Sequence, residues 1–323
     1  MPSRRRTWFL VRMIIYLVVI AILLVNRGEI PWRRLAGTFR PAEQEDPILR
    51  VGGRDLAPGL IDRLLAGYRQ DYPDLAFEVR SGGTNQALED LINGRVDVAF
   101  LYRPPTPAEQ DLFRETAGDT AVVTPVAVGA VLVTAAEGDP GGSLTPAGLA
   151  GILAGRAPGP AGSIYLPDPN EGLWDAVRSG LDLPGDLPPA GSPVVFLKGP
   201  EDVLAAVRDA EAAGLPDAWG LVSGLALPRD PGEGAPDGLQ FLPMQASPDS
   251  AAAAPAYETV ARGTYPLHHL LYAACLDTGG RQGGRFVTHL ASARGLRQVE
   301  RAGVVPARQI LREIHLTRDP VGE

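Results

Sequence analysis

Hydrophobic and polar positions divide the chain into one long apolar opening and then many short alternating segments. Met13 to Val25 is unbroken apolar sequence, and with Trp8-Phe9-Leu10-Val11-Arg12 ahead of it the stretch is just long enough to cross a bilayer as a helix. Arg4, Arg5 and Arg6 favour a cytoplasmic N-terminus, although Arg27, Arg33 and Arg34 on the far side weaken the contrast. Asn26-Arg27-Gly28-Glu29 follows without a small-x-small cleavage site, so residues 1–26 read as an uncleaved signal anchor in preference to a removed signal peptide. Residues 27–46 are polar, carry Pro31 and Pro41, and end in Glu43-Gln44-Glu45-Asp46; they read as a juxtamembrane linker.

A globular pattern starts at Ile48. Ile48–Gly52 predicts a strand, and Leu60, Ile61, Leu64, Leu65 and Tyr68 fall at helical spacing over 59–72. Leu75–Arg80 predicts a strand. Gly82-Gly83-Thr84 leads into a helix striped by Ala87, Leu88, Leu91 and Ile92, which Asn93-Gly94 stops. Val96–Leu101 is the next strand. Strands alternating with helices predict a parallel sheet covered on both faces. Ala121–Thr134 predicts a long strand pair around Thr124-Pro125, a crossover between lobes. A second α/β unit follows: helix to Leu153, strand 164–166, helix 172–181, strand 194–197, helix 200–213 and strand 219–222. The stretches 228–238 and 246–256 read as loops, and 265–274 and 285–301 as helices.

Composition narrows the classes. The 323 residues are 45% hydrophobic, enough for two lobes with cores, and the net charge of −8 speaks against a nucleic-acid partner. A single cysteine, Cys275, excludes an intrachain disulfide and a cysteine-rich metal site, and its apolar neighbours predict a buried inert thiol. No Gly-x-Ser-x-Gly elbow, Walker loop or His-Glu-x-x-His pair is present, so no catalytic residue, metal ligand or cofactor is expected. His268 and His269, placed on a helix, would point about 100° apart and serve poorly as joint ligands.

The succession Val51-Gly52-Gly53, Ser81-Gly82-Gly83-Thr84 and Asn93-Gly94-Arg95-Val96-Asp97-Val98-Ala99 resembles the first lobe of the phosphate-binding proteins of ABC importers, which have the type II periplasmic binding fold. Val126–Val133, Leu144-Thr145-Pro146, Ala218–Val222, Tyr265-Pro266-Leu267 and Gly295 to Gly303 continue the resemblance over roughly 48–310. The resemblance implies a two-lobed α/β fold with mixed sheets. Its first lobe would be 47–124 plus 224–315, its second 125–223, with a tail at 316–323. It also implies a solute in the cleft and an ABC permease as partner; the N-terminal segment adds membrane attachment through its helix, with the globular part outside the cytoplasm.

Helix N-termini bind anions through unpaired amides and the positive dipole end. Gly83 and Thr84 therefore read either as an oxyanion site or as a glycine turn with Thr84 as plain N-cap. Gly53, Arg54 and Asp55 occupy the first strand-to-helix turn, where the family places hydroxyl donors. Arg54 offers a fork to an anion, and Asp55 a cap or an ion-pair partner. The resemblance makes Asp97 an acceptor from protonated phosphate, and Arg103 follows the same strand. The alternative is a structural ion pair of Asp97 with Arg103 or Arg54. In the second lobe the family's Arg and Ser-Gly-Thr are replaced by Asp168-Pro169-Asn170-Glu171-Gly172. Asp168 and Glu171 repel phosphate, so a cationic, zwitterionic or neutral solute, or none, fits better. Trp174 is assigned to core packing ahead of a stacking surface. The expected function is thus a membrane-tethered solute-binding protein, with a sensor or envelope interaction module of the same fold as the alternative.

Overall fold

The computed structural model describes residues 48–308 apart from 139–143, 161, 186–187, 215–217, 228–233 and 277–281. The expected anchor, linker and tail lie outside the described residues, and among those described no helix is long and apolar enough to cross a membrane.

Strand β1 (Ile48–Gly52) lies between β2 (Ala76–Val79) and β3 (Val98–Leu101), parallel to both. Helix α1 (Pro58–Asp71) joins β1 to β2 and buries Leu60, Ile61, Leu64, Leu65 and Tyr68, the residues that its 3.6 period puts on one face. Helix α2 (Thr84–Ile92) joins β2 to β3 and buries Ala87, Leu88 and Leu91. This is the alternation that the sequence predicts. Helix α3 (Pro107–Ala117), absent from the sequence reading, follows β3. Thr106 and Glu109 form a reciprocal capping box at its start, and Phe113 is its one buried side chain.

Strand β4 (Ala121–Ala136) is the backbone of the molecule. It is one strand of 16 residues, not a pair, and the predicted break at Thr124-Pro125 is a register shift between Pro125 and Ala127. Its first part, to Ala130, pairs antiparallel with β9 (His268–Leu276), whereas Val131–Thr134 pairs with β7 (Trp219–Ser223). The second lobe continues from β7 through β5 (Ile164–Pro167) and β6 (Val194–Leu197), all parallel, and β8 (Leu239–Phe241) joins the far end of β4. Helices α4 (Pro146–Leu153), α5 (Leu173–Gly180) and α6 (Pro200–Ala212) cover this lobe. Proline opens α1, α3, α4 and α6, where its missing N–H costs nothing.

One expectation fails outright. Most of 265–274, read as a helix, lies instead in the central strand β9 between β3 and β4. The run His269-Leu270-Leu271-Tyr272-Ala273-Ala274-Cys275 is apolar on both faces, so periodicity cannot separate a buried helix from a strand covered on both sides, and pairing with two neighbours decides. His268 and His269 consequently face opposite ways, the first exposed and the second buried. The expected helix at 285–301 is two: α8 (Gln282–Ala291) and α9 (Ala293–Arg301), after a short α7 (Tyr257–Ala261). Ser292 interrupts them by accepting a hydrogen bond from the Gly295 amide at 3.2 Å. Strand β10 (Val305–Pro306) then pairs with β4. Cys275 is buried, and so is Trp174, whose ring stands edge-on to Phe196 at 6.1 Å.

Candidate functional site

The two lobes meet where β1 and β3 end and where α2 and α5 begin. Gly53 follows β1 with φ +81°, and any Cβ there would strike the Phe100 carbonyl oxygen, so the turn is closed to L side chains. A 3-10 turn over Arg54–Leu56 follows it. The Arg54 guanidinium is engaged by the chain itself. Its Nε and Nη2 grip Asp62 of α1 at 2.9 and 2.6 Å, a bidentate pair that keeps the guanidinium charged. Asp55 crosses to the next loop, where its Oδ2 accepts from the Gly82 amide at 2.9 Å.

Gly83, not Thr84, N-caps α2. The Thr84 side chain is fully buried and its hydroxyl accepts from the Tyr102 amide at 3.0 Å, stitching α2 to the end of β3. Gly83 is where the lobes touch: a Cβ would lie 2.7 Å from the Asn170 carbonyl oxygen and overlap Glu171 Cα. Gly172, in left-handed conformation, N-caps α5 and lies against Thr84 Oγ1.

Arg103 ties the lobes together. Its fork donates to Glu109 at 2.7 and 2.8 Å, Nη2 also donates to Asn85 Oδ1 at 2.9 Å, and Nε reaches Asp175 of α5 at 2.9 Å. Burial opposes ionisation of Glu109, but the Arg103 fork and the Thr106 amide outweigh it and hold its pKa below the usual range. Asn85 and Asn170 add a second link across the junction at 3.1 Å.

Asp97 is not with this group. It precedes β3, where its Oδ2 accepts from the Arg50 amide at 2.8 Å. Five residues, roughly 16 Å of strand, separate it from Tyr102. The structural ion pairs considered for Asp97, with Arg54 or Arg103, are not formed, since Arg54 holds Asp62 and Arg103 holds Glu109 and Asp175.

Glu171 closes the 3-10 turn Pro169–Glu171, half-buried between the lobes. Its carboxyl makes no hydrogen bond among the described residues, and Oε1 points towards Gly199 at the start of α6. Burial first, then the charges of Asp55 and Asp168, push its pKa up to about 7.

A buried polar cluster unforeseen in the sequence lies behind the junction. His269 Nε2 and Ser223 Oγ are 2.8 Å apart, Ser223 Oγ accepts from the Leu225 amide, and the Tyr102 ring stands edge-on to the imidazole at 4.4 Å. The Tyr102 hydroxyl donates to the Leu56 carbonyl. Burial holds His269 at a pKa of about 4, hence neutral. Its members come from strand ends far apart in the chain, so no local motif announces it. Among the described residues, no group of three or more His, Cys, Asp or Glu side chains is arranged to hold a metal ion.

Comparison with known proteins agrees with this architecture. A family model described as a PBP superfamily domain matches residues 40–294. A phosphate ABC transporter substrate-binding protein from Clostridium perfringens, solved with bound phosphate, superposes with a TM-score of 0.60 at 14% identity, covering 80% of this chain and 99% of that one. An ABC-type phosphate transport receptor from Vibrio cholerae gives 0.57 at 17% identity, with 80% and 99% covered. No curated protein matches the sequence.

Proposed function

The chain belongs to the PBP superfamily domain family, and from that premise we propose that it is a membrane-tethered, extracytoplasmic solute-binding protein serving an ABC importer. In this reading two lobes close over a small solute at the junction of Gly53, Gly83 and Gly172. The reading is supported by the contact of Gly83 with Asn170 and Glu171, which brings strand ends and helix starts of both lobes to one place. The Asn85–Asn170 link contributes about 1 kcal/mol or less, so it does little by itself to hold the lobes closed. The apolar stretch before Asn26 is the basis for the tether.

The charge of the junction points to a solute bearing a positive charge, with binding in place of catalysis. Asp55 already takes the Gly82 amide, and Arg54 and Arg103 are held by carboxylates of the chain itself. Glu171 is the group left without a hydrogen bond among the described residues, and with Asp55 and Asp168 it opposes an oxyanion. The oxyanion implied by resemblance is therefore the less favoured occupant. A second reading, a sensor or envelope interaction module without transport, draws on the Arg103–Asp175 link, by which the lobes hold each other through the chain's own side chains.

Thermal unfolding of the full-length protein in detergent at pH 8 tests this, with L-arginine, choline, glycine betaine and inorganic phosphate as additives. A cationic or zwitterionic additive should raise Tm by mass action, and Glu171→Gln should remove the rise. No rise with any additive favours the second reading; a rise with phosphate alone overturns the charge assignment. Partition of the full chain into membranes, lost when residues 1–26 are deleted, tests the tether separately.

A further inference from the structure

A cavity of about 340 Å³ lies away from the lobe junction, where α1, β4, the segment after β7, α7 and the α9–β10 turn converge. Leu60, Val128, Leu225 and Val260 give it an apolar floor. Its polar lining is Arg63, Arg301 and Tyr257. Neither arginine makes an ion pair or hydrogen bond among the described residues, and the Tyr257 hydroxyl makes no hydrogen bond there. By contrast, Arg54, Arg80, Arg95, Arg103 and Arg294 are all paired with carboxylates. Glu258 and Glu300 lie close enough to Tyr257 to raise its pKa, after burial, but neither lines the cavity. The formal charge of the lining is thus positive, contributed by two guanidinium forks of the kind that match an oxyanion.

We propose that this cavity is a second ligand site, distinct from the lobe junction, for a small organic anion with a single oxyanion head and an apolar body. The volume is at the lower end for ligand pockets and enough for a short acyl or aryl acid. The head would sit between Arg63, Arg301 and the Tyr257 hydroxyl, and the body against Leu60, Leu225 and Val260. Val128, Gly129 and Ala130 also line it, and these residues immediately precede the point where β4 passes from one sheet to the other. An occupant would therefore touch the segment that joins the lobes. The proposal does not depend on the solute assigned to the junction.

Titration calorimetry of the full-length protein with hexanoate tests it, with 1-hexanol and inorganic phosphate as controls. Arg63→Gln with Arg301→Gln changes two exposed side chains, and Gly59→Leu fills the mouth from a helical position where a Cβ meets nothing within 4 Å. Both variants should unfold as the unaltered protein does when no ligand is added. Hexanoate should bind, weaken about tenfold or more in the double variant, and be lost in Gly59→Leu. The proposal is overturned if hexanoate does not bind, if hexanol binds equally well, or if neither variant weakens binding. Binding of inorganic phosphate as tight as that of hexanoate would refute the apolar body.

Discussion

Ionising Glu171 adds a carboxylate charge near Asp168 of its own turn and Asp55 of the facing lobe, and the pH dependence of stability should register it. Its folded pKa of about 7 lies above the usual 4.5, so the folded protein holds that proton more tightly than the unfolded chain. Stability is therefore highest below about pH 4.5 for this group and is lost as pH rises through 7. Glu171→Gln should raise Tm by a few degrees at pH 8, corresponding to roughly 1–3 kcal/mol after allowance for solvent, and change little at pH 5. His269 works in the opposite sense. Its folded pKa of about 4 lies below the usual 6.5, so its contribution is complete above 6.5 and is lost as pH falls towards 4. In the Glu171→Gln background, which removes the opposing contribution, denaturant titrations across that window should show stability falling by roughly 2–3 kcal/mol, and adding His269→Gln should flatten the fall.

Among the elements, those with a clear period were legible in the sequence, and those fixed by distant partners were not. The stripes Leu60–Tyr68 and Ala87–Leu91 bury one face, so β1-α1-β2-α2-β3 could be read directly. Strand β9 could not, because a segment covered on both faces carries no alternation. The candidate site divides in the same way. Gly53, Gly83, Thr84 and Gly172 are brought together by glycine-led turns that local sequence displays. The partners of Arg54 and Arg103 are chosen by the fold: Asp62 comes from the next helix and Asp175 from the other lobe. The contact of α2 with the Pro169–Glu171 turn leaves no space for a methyl group at Gly83. Gly83→Ala should part the two elements, lowering Tm and increasing the radius of gyration in solution scattering. Gly94→Ala, at a left-handed glycine whose Cβ would meet nothing within 4 Å, should cost about 1 kcal/mol of local strain without changing the radius.

At the scale of the whole molecule, the lobes communicate through Arg103 and through β4. Arg103→Ala leaves the partly buried Glu109 and Asp175 without their common cation and should lower stability by about 1–3 kcal/mol. Faster cleavage by a protease at the lobe junction should accompany the loss. Arg103→Lys, with charge but no fork, should recover only part of it. The 16 residues of β4 belong to both sheets at once, paired with β9 up to Ala130 and with β7 from Val131. Severing the chain there would strip each fragment of an inner rung and leave raw amide edges on both. Fragments expressed as separate polypeptides should therefore clump instead of reassembling, and calorimetry of the intact protein should record a single melting peak.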